Sequence, residues 1–240
     1  MRYAILSDVH GNLEALEAIL KALKKEGIDR YLFVGDAVGY GANPNECVEI
    51  IKSLADKAVA GNHDWGVLEK TPLDYFNPYA KEALKWTMEE LKPENKEYLS
   101  QLPLVVEEKD FTIVHATLEK PEEWEYVYTT YEAHCNIQIQ KTQVCFYGHS
   151  HIPIHFAENE HISFSRDPVV EIKENWKYFI NIGSVGQPRD GDPRACCVIF
   201  DSEKKIVKYI REEYKISAAQ EKIWKAGLPA ILGERLAYGE

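Results

Sequence analysis

Five short clusters carry the side chains of this sequence that could do chemistry: Asp8-Val9-His10, Gly35-Asp36, Gly61-Asn62-His63-Asp64, His115 and Gly148-His149-Ser150-His151. Imidazoles combined with carboxylate and amide oxygens suit Mn, Fe, Zn, Co or Ni and do not select among them. Together the clusters hold the material of a binuclear hydrolytic centre. A carboxylate shared by two cations reduces their mutual repulsion, which gives Asp36 a specific task, and Asn62 offers a neutral oxygen where another charge would overcompensate. His63 can instead face a leaving group. Asp64 either orients His63 by accepting a hydrogen bond or caps the segment that follows.

Taken singly these residues are ordinary, since Asp and Asn are common in turns and caps. Their repetition after successive apolar runs is not ordinary. Runs at 3–6, 31–34, 58–60, 111–114 and 144–147 lead into the clusters. Such runs, ending in Gly or a polar residue, read as buried strands whose carboxyl ends carry the ligands. His149 and His151 are expected to share one side of an extended segment while Ser150 points away. Gly35, Gly61 and Gly148 are expected to permit sharp turns that bring ligands together. His134, His155 and His161 lack this context and are read as structural.

The elements that must position the clusters follow from periodicity. Asn12 caps a predicted helix through Leu13, Leu16, Ile19, Leu20 and Leu23, ended by Gly27. Pro44 starts a second helix, residues 72–101 read as mainly helical with a division at Pro93, and residues 218–236 return to helix around Pro229. Further strands are expected at 154–157, 162–164, 169–172, 178–182, 196–200 and 206–210, with turns at 159–160 and 201–204. So many strands call for two packed sheets flanked by helices. The segment 119–141 is aromatic, acidic and poorly periodic, and its Trp124, Tyr126 and Tyr128 form either a substrate wall or ordinary packing.

The chain has 240 residues, 45% of them hydrophobic, enough for one compact domain over 1–240. With 39 acidic against 28 basic residues and a net charge of -11, broad attraction to extended nucleic acid or an anionic membrane is disfavoured. The amino terminus turns acidic at Asp8, too soon for a secretory hydrophobic region. Five irregularly spaced cysteines form no disulfide framework and fit a reducing compartment, so a cytoplasmic location is expected.

The ordered motifs Asp8-Val9-His10-Gly11-Asn12, Gly35-Asp36-Ala37-Val38-Gly39-Tyr40-Gly41, Gly61-Asn62-His63-Asp64, His115 and Gly148-His149-Ser150-His151 closely resemble those of the calcineurin-like metallophosphoesterases. The resemblance is to the compact bacterial and archaeal phosphodiesterase branch, and the stretch 181–189 resembles the family's closing strand and loop. It implies an α/β fold, a four-layer α/β/β/α sandwich of two mainly mixed β-sheets flanked by helices. It further implies two divalent or mixed-valence transition-metal ions. Asp8, His10, Asp36 and His151 would bind one, and Asp36, Asn62, His115 and His149 the other. His63, assisted by Asp64, is the implied phosphate-contacting and leaving-group-protonating histidine.

The implied reaction is hydrolysis of phosphodiesters by a metal-activated hydroxide, on a small phosphoester such as a nucleotide. Candidate substrate contacts are Asn12, Tyr40, Trp124, Tyr126 and Arg189. Protein serine/threonine phosphatase relatives carry an Asp-Arg-Gly continuation where this chain has Gly39-Tyr40-Gly41, and Tyr40 lacks the charge and fork of that arginine. Phosphomonoester or protein-phosphatase activity is the first alternative. A catalytically weak interaction scaffold, opposed by the intact His63 and ligand set, and a regulatory nucleotide-binding module, which would bind nucleotide tightly without turnover, are further ones.

Overall fold

Alternation along the first strand shows how the layers form. In β1 (Arg2–Leu6), Tyr3 and Ile5 point to one face and Ala4 and Leu6 to the other. Tyr3 and Ile5 pack with Leu32, Phe111, Ile113, Phe146 and Phe200 in a core between two sheets. Ala4 and Leu6 meet Leu16, Ile19 and Leu23, the apolar stripe of α1 (Leu13–Leu23). Burying both faces makes β1 nearly continuous in hydrophobicity, as strands with parallel neighbours are.

The computed structural model describes all 240 residues. After α1 come β2 (Arg30–Val34), α2 (Pro44–Leu54), β3 (Lys57–Val59), α3 (Asn62–Gly66), α4 (Pro78–Glu90), α5 (Pro93–Ser100), β4 (Val105–Glu107) and β5 (Phe111–Val114). Then follow α6 (Thr130–Ile139), β6 (Val144–Tyr147), β7 (Ile154–Glu158), β8 (Ile162–Ser165), β9 (Val169–Glu171) and β10 (Lys177–Asn181). The chain closes with β11 (Ala195–Asp201), β12 (Ile206–Glu212), α7 (Ile216–Lys225) and α8 (Ala230–Glu234). One sheet runs β3-β2-β1-β11-β12-β9 and the other β4-β5-β6-β10-β7-β8. Both are mixed: β1, β2 and β3 are parallel in the first, and β5, β6 and β10 in the second. Helices α1 and α2 cover the outer face of the first sheet, and α6 covers that of the second, giving the α/β/β/α sandwich. No helix is long and apolar enough to cross a membrane.

Three elements depart from the sequence expectation, the short helix α3 at the third ligand cluster among them. Within 119–141, residues 130–139 form α6, started by a reciprocal cap between Thr129 and Glu132. Its buried residues are only Ala133, Asn136 and Ile137, too few and too mixed to announce an apolar stripe. The edge strand β4 is only three residues long and half-exposed, and its apolar stretch Leu104-Val105-Val106 leads into no ligand cluster that would single it out. Elsewhere, Pro93 and Pro229 divide helices as expected, and Asn12 accepts a capping bond from the Ala15 amide at 3.1 Å.

Candidate metal centre

Every clustered residue leaves the carboxyl end of a parallel strand. Asp8 follows β1, Asp36 follows β2, Asn62 follows β3, His115 follows β5 and His149 follows β6. Their loops are bonded to one another: the Asp8 amide donates to Gly35 O, His10 to Asp36 O, Gly148 to His115 O and Gly186 to Asp8 O, all at 2.9–3.0 Å. This lattice of backbone bonds carries the two sheets' ends into one rigid cradle. It demands unusual backbone, because Asp8, His10, Asp36, Tyr40, Trp124, His149 and His151 all have φ between 49 and 66°. Left-handed backbone at non-glycine residues is sparsely populated and concentrates where side chains are held for function.

The side chains converge into three overlapping groups: Asp8, His10 and His151; His10, Asp36 and His63; and Asp36, His115 and His149, with donor atoms in each within 4.8 Å of one another. All are buried. His10 Nδ1 lies 3.0 Å from Val38 O and His151 Nδ1 lies 2.5 Å from Gln187 O, so each Nδ1 carries the proton. Their Nε2 lone pairs then face each other at 3.1 Å, beside Asp8 Oδ1 at 3.8 and 3.2 Å. His115 repeats the arrangement: Nδ1 donates to Val34 O, while Nε2 meets Asn62 Oδ1 at 3.1 Å and Asp36 Oδ2 at 3.3 Å. His149 Nε2 is buried with no partner at all. Acceptors turned on acceptors in a dry site need a positive charge among them, and the carbonyls that fix each tautomer are the usual outer support of a metal-binding imidazole. The donor set therefore fits two adjacent cations.

Comparison with known proteins agrees with this geometry. A family profile described as the calcineurin-like phosphoesterase superfamily domain matches residues 1–205. The chain belongs to this superfamily. An uncharacterized protein of Methanocaldococcus jannaschii is 45% identical over 240 residues, covering 98% of this chain and 97% of its own. The crystal structure of a metallophosphoesterase from Sphaerobacter thermophilus is 42% identical with a TM-score of 0.89, covering 100% of this chain and 99% of that one. A hypothetical protein from Pyrococcus horikoshii shares the fold at 24% identity and a TM-score of 0.82, over 100% and 98% of the two chains. Two adjacent metal-binding groups on a calcineurin-like fold support a metal-dependent phosphoesterase.

Electrostatics prepares the ligands. Burial holds His10 and His151 well below the ordinary histidine range, and burial followed by the His115 charge takes His149 down to about 3. These rings present neutral lone pairs at any working pH, as metal ligands must. Burial works to lower His115 too, but the Asp36 carboxylate outweighs it and raises the ring to about 9. In Asp36, burial is overcome by His115 and His63, leaving the carboxyl well below its usual range.

The other expected site residues divide. Asp64 caps α3, one of its two expected roles: its carboxylate accepts from the amides of Gly61, Asp36 and Ala37 at 2.9–3.0 Å, and no hydrogen bond joins it to the His63 imidazole. It is a positioning residue that ties the β2 and β3 loops together. The Asn12 amide is committed at both ends, to the Ala15 amide and to Gly186 O. Tyr40, Trp124 and Tyr126 line a cavity with Asn62, His63 and His149, while the Trp124 indole donates to Thr71. Tyr126 stacks on His149 at 4.1 Å and on Tyr128 at 5.2 Å, and still keeps 41% of its surface exposed. Sequence reading missed Phe76, whose ring stands 5.1 Å from His63, since nothing in 72–101 marks it apart from other core aromatics.

Two expectations about backbone are corrected. His149 and His151 do not lie in an extended segment; both are left-handed, with φ of 66 and 61°, which lets them serve different donor groups. Only Gly35 among the three glycines has positive φ. Gly61 and Gly148 are required by crowding: a Cβ on Gly61 would stand 2.1 Å from Asp36 Oδ1, and one on Gly148 2.4 Å from Asp8 Oδ2. Gly61→Ala is expected to displace Asp36, costing about 1–3 kcal/mol of stability as overpacking does, and to lower bound metal below two equivalents. Elemental content measured beside a melting curve checks it; full metal content would refute it.

Proposed function

We propose that this chain hydrolyses phosphodiesters at a two-cation centre, one cation held by Asp8, His10, Asp36 and His151 and the other by Asp36, Asn62, His115 and His149. The observation that carries the reading is the inward convergence of unprotonated nitrogens and oxygens, most sharply the His10 and His151 Nε2 atoms at 3.1 Å. Divalent or mixed-valence ions of Mn, Fe, Zn, Co or Ni bound there supply Lewis acidity toward phosphoryl oxygens and make water a nucleophile near neutral pH. The chain's own contribution is to fix, to exclude solvent and to move a proton. His63 stands between Tyr40, His10 and Phe76 with its Nδ1 enclosed against Gly39, and its Nε2 hydrogen-bonds to no protein atom where the ring lines the cavity. That leaves an imidazole nitrogen available to a departing oxygen.

Charge favours a diester over a monoester. The cavity beside His63 and His149 is lined by Glu123 and Glu125 and by no lysine or arginine. A singly charged diester suits such walls better than a dianionic monoester. The Gly39-Tyr40-Gly41 segment, without a clamping arginine, points the same way.

The test is reconstitution of metal-free protein separately with Mn, Fe, Zn, Co and Ni, followed by turnover of bis-p-nitrophenyl phosphate and p-nitrophenyl phosphate. Greater kcat/KM for the diester supports the reading, and equal or greater monoester turnover moves it to phosphatase. No turnover by folded, metal-loaded protein would favour a scaffold or a nucleotide-binding module. The aromatic wall gives a separable result: Tyr128→Ala, on the outer ring of the stack, is expected to shift selectivity between nucleotide and simple aryl diesters with metal content intact. Tyr126→Ala, which uncovers His149, is expected to weaken metal retention by about 10–100-fold, as loss of a ligand's support does. Unchanged selectivity and unchanged affinity in the two variants would reject the wall.

A further inference from the structure

We propose that Arg189 and Arg235, gathered about the Tyr40 ring, form a second anion subsite that takes a phosphoryl group carried by the substrate in addition to the one being cleaved. This rests on the phosphoester reading above and deepens it by naming a substrate class: phosphodiesters bearing a second phosphate.

Position is the first ground. The Tyr40 ring lies 4.7 Å from His10 and 4.5 Å from His63, and the guanidinium carbons of Arg189 and Arg235 lie 5.7 and 5.6 Å from the same ring. Both cations thus share with His10 and His63 one aromatic ring as their common neighbour, beside the metal centre. The amide of Arg189 also donates to His151 O at 3.3 Å, anchoring that cation to a ligand loop.

Missing counter-charge is the second. Arg2 pairs with Glu26, Arg194 with Asp192 and Arg211 with Asp190. Arg189 pairs with no carboxylate: its Nη2 reaches only Tyr40 Oη at 3.3 Å and Gln187 Oε1 at 2.8 Å, and its Nε is buried without a partner. Arg235 reaches a main-chain oxygen, Glu240 O, at 2.6 Å. Burial and then the Arg189 charge hold Arg235 down to about 10, against the smaller opposing pull of Tyr40 and Glu240. In a chain of net charge -11, two partly buried guanidiniums, one without a carboxylate and the other with only the weaker pull of Glu240, are a costly arrangement unless an anion from outside completes it. The planar donor fork suits phosphate.

Charge placement is the third: Glu123 and Glu125 line the cavity beside His63 and His149, whereas Arg189 and Arg235 stand outside that lining around Tyr40, so a second phosphate is favoured on the Tyr40 side. The pair is also held firmly. Tyr40 packs with Ala219, Ile223, Leu232 and Leu236, so α7, α8 and the turn Arg235–Ala237, all beyond the residues matched by the family profile, brace the ring from behind.

The experiment is calorimetric titration of metal-loaded protein, in excess metal and against a metal-only blank, with methylphosphonate and straight-chain alkane diphosphonates of increasing length. None of these is hydrolysed, so binding is read without turnover. At least one diphosphonate is expected to bind about tenfold or more tightly than methylphosphonate, the scale of a charge-assisted contact. Arg189→Ala and Arg235→Ala should each remove most of that gain, and Arg235→Lys should restore part of it. No gain for any diphosphonate, or a gain that survives both alanine variants, overturns the subsite. Arginine-dependent capture of a diphosphonate by protein that neither binds methylphosphonate nor turns over any phosphoester would count against the phosphoester reading alone.

Discussion

Stripping the metal ions with a chelator is expected to abolish turnover and to lower the melting temperature by roughly 10 °C or more. A cation that binds only the folded state stabilises it by about 2.7 kcal/mol at a hundredfold excess over its Kd, and each kcal/mol moves the midpoint of a chain this size by about 2–4 °C. Two sites make the shift large. Without cations, protons must do their work among the facing acceptors: His115, raised to about 9 by Asp36, carries one of them. Rebinding metal should therefore release protons, seen as acidification in weakly buffered solution. Asp36→Asn is expected to reproduce the stripped state even with metal in excess, since Asp36 belongs to two of the three donor groups. Equal melting temperatures with and without metal, or full occupancy in Asp36→Asn, would sink the two-cation reading.

The sequence made the parallel strands legible because β1, β2, β5, β6 and β10 are buried on both faces and so read as unbroken apolar runs. A ligand one or two residues beyond such a run has few places to go other than the sheet's carboxyl edge. What could not be read is how the loops turn there. Seven expected site residues sit at positive φ, a conformation that Asp, His, Tyr and Trp do not announce, and it comes from loop-to-loop bonds such as His10 N to Asp36 O. Asp64 caps α3 through the Gly61 amide, one of the two roles expected of it, and reaches further than the sequence shows. Its neighbour in sequence is His63, but its other partners are amides of the loop after β2, 27 and 28 residues away. Arg235 lies some 195 positions beyond Tyr40 and only tertiary packing joins them. Helix α6 escaped because its start is written in a capping pair rather than in periodicity.

His63→Ala is expected to lower kcat by about 10²–10⁴-fold with metal content and melting temperature close to those of the parent, and the size of the loss should depend on the leaving group. Burial, only partly offset by Asp36, holds His63 down to about 4, so the ring is neutral before substrate arrives. Its Nδ1 is enclosed against Gly39, its Nε2 makes no hydrogen bond in the protein, and Asp64 does nothing to fix its tautomer. A bound phosphoester supplies the missing partner, and its negative charge favours the protonated ring that burial disfavours. A departing alkoxide needs that proton, whereas p-nitrophenolate leaves almost unaided. The loss should accordingly fall near the lower limit for aryl diesters and near the upper limit for alkyl diesters such as dinucleotides. A purely structural histidine would reduce both by the same factor. Equal losses across the two leaving groups, or a loss that tracks depleted metal, would assign His63 to supporting the centre instead of to proton transfer.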